Sequence, residues 1–137
     1  GYAETRNGGV SWVKPQGGLD HRYCWSVAVD SDDPACVIVS AAHGARSAHT
    51  PAVAESYVYR RRDGERWQRL DGRGLPMGEG VVRAVLDRGL SAGDCYAATN
   101  TGLYHTADQG DSWGRVDIPW DDSLTDQTPQ GLTVVSP

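Results

Sequence analysis

Apolar residues in this chain come in short runs that alternate with small or polar ones and break at Gly, Pro, Asn or Asp. That pattern predicts half-buried β-strands joined by tight turns. In "WSVAVDSDDP", Val27 and Val29 alternate with smaller residues and a turn cluster follows at 31–34. The stretch "VVRAVLDRGL" taken alone fits either a short amphipathic helix or a strand. It occupies the same place relative to its neighbours as "WSVAVDSDDP", and two segments in one role share one conformation, so both are read as strands. Each unit then has four strands: the first at 25–30 or 82–87, the second at 36–41 or 95–99. The third lies at 56–60 or 102–106, and the fourth at 67–70 or 113–116. The opening "GYAETR" matches "GLYHTA" and reads as a third strand, while the closing "GLTVVSP" resembles a first strand. This predicts an all-β chain of eleven strands: a half unit at 1–20, complete units at 21–72 and 78–117, and one more strand at 130–137.

A recurrent turn sets the phase of these units. Before Trp113, in "YHTADQGDSW", stand Ser112, Gly110, Asp108 and Thr106 at one, three, five and seven residues. Before Trp12 the same offsets give Ser11, Gly9, Asn7 and Thr5, and before Trp67 they give Arg66, Gly64, Arg62 and Arg60. The tryptophans are 55 and 46 residues apart, periods that belong to repeated supersecondary units such as propeller blades.

The turn resembles the Asp-box, or BNR, repeat, Ser/Thr-x-Asp-x-Gly-x-Ser/Thr-Trp. With "WSVAVDSDDPACVIVSA" followed later by "GLYHTADQGDSW", nearly the whole chain is similar to bacterial BNR-like, sialidase-like and sortilin-like β-propellers. The resemblance implies four-stranded antiparallel blades, with the box as the hairpin between third and fourth strands. Asp accepts hydrogen bonds from turn amides, Gly takes a positive φ and Trp covers the turn. The box residues are therefore expected to be structural: Thr5, Asn7, Gly9 and Trp12; Gly64 and Trp67; Thr106, Asp108, Gly110, Ser112 and Trp113. Propellers close with about 4–8 blades, so two complete and two partial blades leave an open ring. The expected partners are the remainder of a propeller or other copies of the chain.

Charge narrows the choice of ligand. With 13 basic and 18 acidic residues, net charge −5 and pI near 5.2, no basic nucleic-acid surface is expected. No apolar stretch is long enough for a membrane helix, and the first residues lack the pattern of a secretory leader. Cys24, Cys36 and Cys95 form no CxxC or zinc spacing, and Cys36 and Cys95, at equivalent repeat positions, should lie too far apart to bond. Unpaired thiols point to a cytoplasmic setting.

Strand alternation puts the loops between second and third strands, and between one unit's fourth strand and the next unit's first, at the end opposite the boxes. Ligands of propellers usually bind at that end. Two such loops flank one unit. "KPQGGLDHRY" carries His21, Arg22 and Tyr23, and "AAHGARSAHTPAVAE" carries His43, Arg46 and His49, with Pro51 excluding a continuous helix. A third, "IPWDDSLTDQTPQ", sets Trp120 beside Asp121 and Asp122, a composition suited to stacking on and hydrogen bonding a sugar. The spacing His43-x5-His49 matches no specific zinc pattern, and neither metal nor cofactor is expected. "DSDDPAC" lacks the Gly and the final Glu of a calcium loop, "GRGLPMG" is no dinucleotide fingerprint, and Arg60–Arg62 reads as a solvated strand end. The expected function is a non-catalytic scaffold that binds a glycan or protein on its loop end. The alternative is part of a sialidase-like glycoside hydrolase, for which the chain has no Tyr/Phe-Arg-Ile-Pro segment and no Phe.

Overall fold

The computed structural model describes residues 1–137. Two antiparallel sheets account for most of the ordered backbone. The first contains β1 (Tyr23–Val29), β2 (Val37–Ala42), β3 (Glu55–Arg61), β4 (Gln68–Arg69) and β5 (Gly78–Glu79); the second contains β6 (Val85–Arg88), β7 (Cys95–Thr99), β8 (Gly102–Thr106) and β9 (Gly114–Arg115). Each is a meander in which sequence neighbours pair, β1-β2-β3-β4 and β6-β7-β8-β9, and β5 pairs with the start of β3. A short helix α1 (Ala45–His49) and a 3-10 turn (Pro51–Val53) lie between β2 and β3, the helix stopping before Pro51 as anticipated.

Strand chemistry follows burial. Every residue of β2, "VIVSAA", is buried, because this strand has a neighbour on each edge and a packed layer on each face. One face carries Ile38, which joins Ala28, Val58, Leu70 and Leu75 against Ala84, Leu86, Ala97, Tyr104 and Trp113 of the second sheet. Full burial of Leu70 and Leu75 contributes roughly 1.5–3 kcal/mol each. Polar clips fix the sliding of the two sheets: Ser40 Oγ donates to Ala84 O at 2.6 Å, and Leu86 N donates to Ser26 Oγ at 2.9 Å. The other face of the first sheet carries Val37, Val39, Ala41, Tyr59 and Trp67, covered by Leu19 and Tyr2 from the N-terminal segment.

The two layers repeat one device. Trp67 N donates to Gly17 O and Trp113 N donates to Arg73 O, both at 2.8 Å. Gly18 (φ +87) and Gly74 (φ +93) then pass so close that a methyl group would meet the carbonyl oxygen of Trp67 or Trp113 at 2.2 Å, and Leu19 or Leu75 enters the core behind. The turns before Trp12 and Trp113 share hydrogen bonds too. Gly9 N bonds Thr5 Oγ1 and Ser11 N bonds Asn7 Oδ1, both at 2.9 Å. Gly110 N bonds Thr106 Oγ1 at 2.9 Å and Ser112 N bonds Asp108 Oδ1 at 2.8 Å.

Several expectations are corrected. The first two predicted strands shrink to a single bridge, Glu4 with Val13, since two short strands without a third beside them gain little. Trp12 is 61% exposed, against 4% and 7% for Trp67 and Trp113, because no Gly-Leu segment of the chain lies against it. Residues 130–137 form no strand, although Val134 N reaches Asp87 Oδ2 at 2.8 Å. The hairpin before Trp67 is one residue shorter than offset counting assumes: Tyr59 pairs with Arg69 as Tyr104 pairs with Arg115, so Arg61, not Arg60, stands where Thr106 does. The deletion is absorbed in the turn, because a slip within the strands would turn every side chain to the wrong face. Arg60 and Arg61 are buried rather than solvated. Arg60 bonds Gln109 O and Asp111 Oδ1, at 2.7 and 2.9 Å, on the second sheet's turn, and Arg61 bonds Glu4 of the N-terminal segment at 3.1 Å. All three cysteines are free thiols.

Candidate functional site

Chain direction brings three segments together at the end of the first sheet away from its hairpin turn. His21 lies two residues before β1, His43 immediately follows β2, and Glu55 opens β3. Ala42 pairs with Ser56, so the β2–β3 register carried one residue on sets His43 beside Glu55, while His21 reaches them from the segment before β1. The rings of His21 and His43 lie 4.3 Å apart, edge to face. One donor atom from each of His21, His43 and Glu55 falls within 4.8 Å of the other two.

Two tyrosines from β3 hold this group. His21 Nδ1 lies 2.5 Å from the Tyr59 hydroxyl, and Tyr57 donates its hydroxyl hydrogen to Glu55 Oε1 at 2.7 Å. His21 is buried and stacks on Tyr57 with ring centres 4.5 Å apart. Burial, the neighbouring His43 and the charge of Arg69 lower its pKa, opposed by Glu55 and Asp20, so its imidazole is neutral at physiological pH. The Glu55 hydrogen bond raises the pKa of Tyr57, and burial raises that of Tyr59, so both keep their protons. Arg69 lies 4.5 Å from the centre of the Tyr57 ring and is paired with Asp71.

The six residues expected in these two loops do not form one cluster. His49, in α1, turns away from His21 and His43: its Nε2 is 3.1 Å from the Tyr23 hydroxyl and its ring meets Trp25 edge-on at 4.4 Å. Beside it Arg83 is fully buried, its guanidinium 5.0 Å from the centre of the Trp25 ring and without a hydrogen-bond partner. Burial, and secondarily Arg83, lowers the pKa of His49. Arg22 and Arg46 are exposed. Trp120 is half-buried and donates from Nε1 to Asn100 O at 3.3 Å, and Asp121 accepts from Ser123 N at 2.7 Å at the start of the 3-10 turn Asp122–Asp126. These hydrogen bonds take up the indole N–H and one Asp121 oxygen within the loop, while Asp122 faces solvent. Asn100 ties the loop back to Gly80 O and Thr125 O.

Sequence reasoning missed Glu55, Tyr57 and Tyr59. Glu55 closes a loop whose histidines attract attention, and the alternation Glu55, Tyr57, Tyr59 along one face of β3 is the signal that finds all three. No known family model and no curated protein sequence matches this chain.

Proposed function

We propose that the chain is a portion of an Asp-box β-propeller, a non-catalytic scaffold that holds its ligand at the loop end of the first sheet. The observation that carries this reading is the repeated Gly-Leu insertion against Trp67 and Trp113. One rule of packing relates N-terminal segment to first sheet and first sheet to second, which is how radially repeated sheets stack. The two box turns with matching hydrogen bonds support it further.

Exposed apolar surface supports the incompleteness of the ring. On β1, Trp25, Val27 and Val29 are 46%, 53% and 38% exposed. By pairing register the counterpart of Val27 is Leu86, which is 5% exposed beneath Ala28 and Ile38 of the first sheet. The element that covers β1 is thus a pair of strands of the same repeat presenting small and aliphatic side chains. In this reading it belongs to the rest of the propeller.

The test is a glycan and peptide array read with wild type and His43→Ala, together with a sialoside hydrolysis assay on the same proteins and Trp120→Ala. Binding reduced by His43→Ala without turnover is expected. Hydrolysis by the wild type that either substitution abolishes would overturn the scaffold reading in favour of the glycoside hydrolase.

A further inference from the structure

We infer that His21, His43 and Glu55 form a binding site for a divalent transition-metal ion of the zinc class. The inference deepens the loop-end reading above, although the donor set stands whether or not the sheets belong to a propeller.

The donors fit the ion. Two imidazoles and one carboxylate are ligands that zinc takes in open sites, with a further position left to water or a bound molecule. Calcium and magnesium prefer all-oxygen sets. Around a tetrahedral ion with bonds of about 2.0–2.1 Å the donors stand roughly 3.3 Å apart, so a separation within 4.8 Å must close slightly. His43 is exposed and free to swing, while His21 and Glu55 are already held. Closure therefore needs movement of one unburdened side chain.

The second layer is what distinguishes this cluster from a chance meeting of polar residues. Metal-bound histidines donate their other nitrogen to an oxygen, and ligating carboxylates are themselves hydrogen-bonded. Tyr59 takes His21 Nδ1, which leaves Nε2 for the ion, and Tyr57 orients Glu55. Asp20, next to His21 in the chain, adds favourable charge, and the opposing charge of Arg69 is offset by Asp71. No zinc spacing shows along the chain because the ligands come from three segments, 21, 43 and 55, brought together only by the fold.

The experiment is calorimetric titration of Zn2+ into chelator-treated, intact chain, followed by Co2+ spectroscopy. One ion per chain is expected, with Co2+ d–d bands and no thiolate charge-transfer band. His43→Ala and Glu55→Gln should each abolish measurable binding. Tyr59→Phe should weaken it by about 10–100-fold, as loss of an outer-shell partner does, and His105→Gln, in β8, should leave it unchanged. Because His43 is exposed, its substitution leaves the fold intact, checked by circular dichroism. No heat of binding, a thiolate band, or undiminished affinity in both His43→Ala and Glu55→Gln would overturn the metal site. Ligand capture on the array without any metal dependence would do the same while leaving the loop-end scaffold standing.

Discussion

Replacing Gly74 by alanine tests the packing rule on which the two layers depend. Gly74 has φ +93, and an added methyl would lie 2.2 Å from Trp113 O, 3.2 Å from its carbonyl carbon and 3.5 Å from its nitrogen. All three are backbone atoms, so no side chain can rotate away. A non-glycine residue in a disfavoured backbone region costs of order 1–3 kcal/mol. Relief of the overlap also breaks the Trp113 N to Arg73 O bond, worth about 0.5–1.5 kcal/mol. The sum is a loss of about 1.5–4.5 kcal/mol. Gly64→Ala is the control: its φ is +74 but nothing lies within 4 Å, so it should cost only about 1–2 kcal/mol. Gly18→Ala meets the same 2.2 Å overlap with Trp67 O. Its global cost is capped, however, because the N-terminal segment can detach while both sheets remain folded. Detachment should show as faster amide exchange at Trp67. Urea unfolding at fixed pH gives the three midpoints. If Gly74→Ala were no worse than Gly64→Ala, the close approach inferred between the Gly-Leu segment and the tryptophan backbone would be wrong.

Three other outcomes follow from the same geometry. Trp67 Nε1 donates to Pro15 O at 2.8 Å whereas Trp113 Nε1 has no partner, so Trp67→Phe should cost about 1 kcal/mol more than Trp113→Phe in urea unfolding; equal costs would contradict the difference. Although partial burial acts the other way, hydrogen bonds from Ser112 and Thr106 and the amides of Ser112 and Asp111 hold the pKa of Asp108 down to about 2. Its ionised form therefore stabilises the fold above the ordinary carboxylate range, and that contribution fades as pH falls from about 4 to 2. The stability gap between wild type and Asp108→Asn should close over that range, and a gap that widened on acidification would refute the assignment. Arg83, with its pKa lowered by burial and only partly restored by Tyr23, is a buried charge without a counter-ion. Arg83→Met should leave stability equal or raised, since only the contact with Trp25, about 0.5–2 kcal/mol, is lost; a loss above about 3 kcal/mol in urea would reveal a partner for the guanidinium.

The sheets were legible because strand alternation and turn residues act locally. Val82–Asp87 fits helix or strand by its own pattern while its repeat partner fits only a strand, and a strand does form there, though β6 runs only from Val85 to Arg88 and residues 82–84 lie outside the sheet. What local pattern could not supply was the consequence of missing neighbours. Trp12 has the same offsets as Trp113 yet stays exposed, because a tryptophan's niche is built by another unit. The Arg60–Arg62 run looked solvated for the same reason, as its acceptors Asp111 and Gln109 are some fifty residues away. In the candidate site, His21 and His43 were found from loop position, whereas the split of His49 towards Trp25 depends on α1. The start of that helix carries a local hydrogen bond, Gly44 N to Ser47 Oγ at 3.2 Å, too weak to stand out in composition.

Sedimentation velocity of the chain and of Val27→Glu across the micromolar range tests the proposed incomplete ring most directly. If β1 awaits strands of a further repeat, the wild type should associate in a concentration-dependent way. A charge on Val27, which is 53% exposed, should shift it to the monomer with an unchanged circular dichroism spectrum. A wild type that remains monomeric throughout, indistinguishable from Val27→Glu, would contradict the claim that the β1 face awaits further strands of the same repeat.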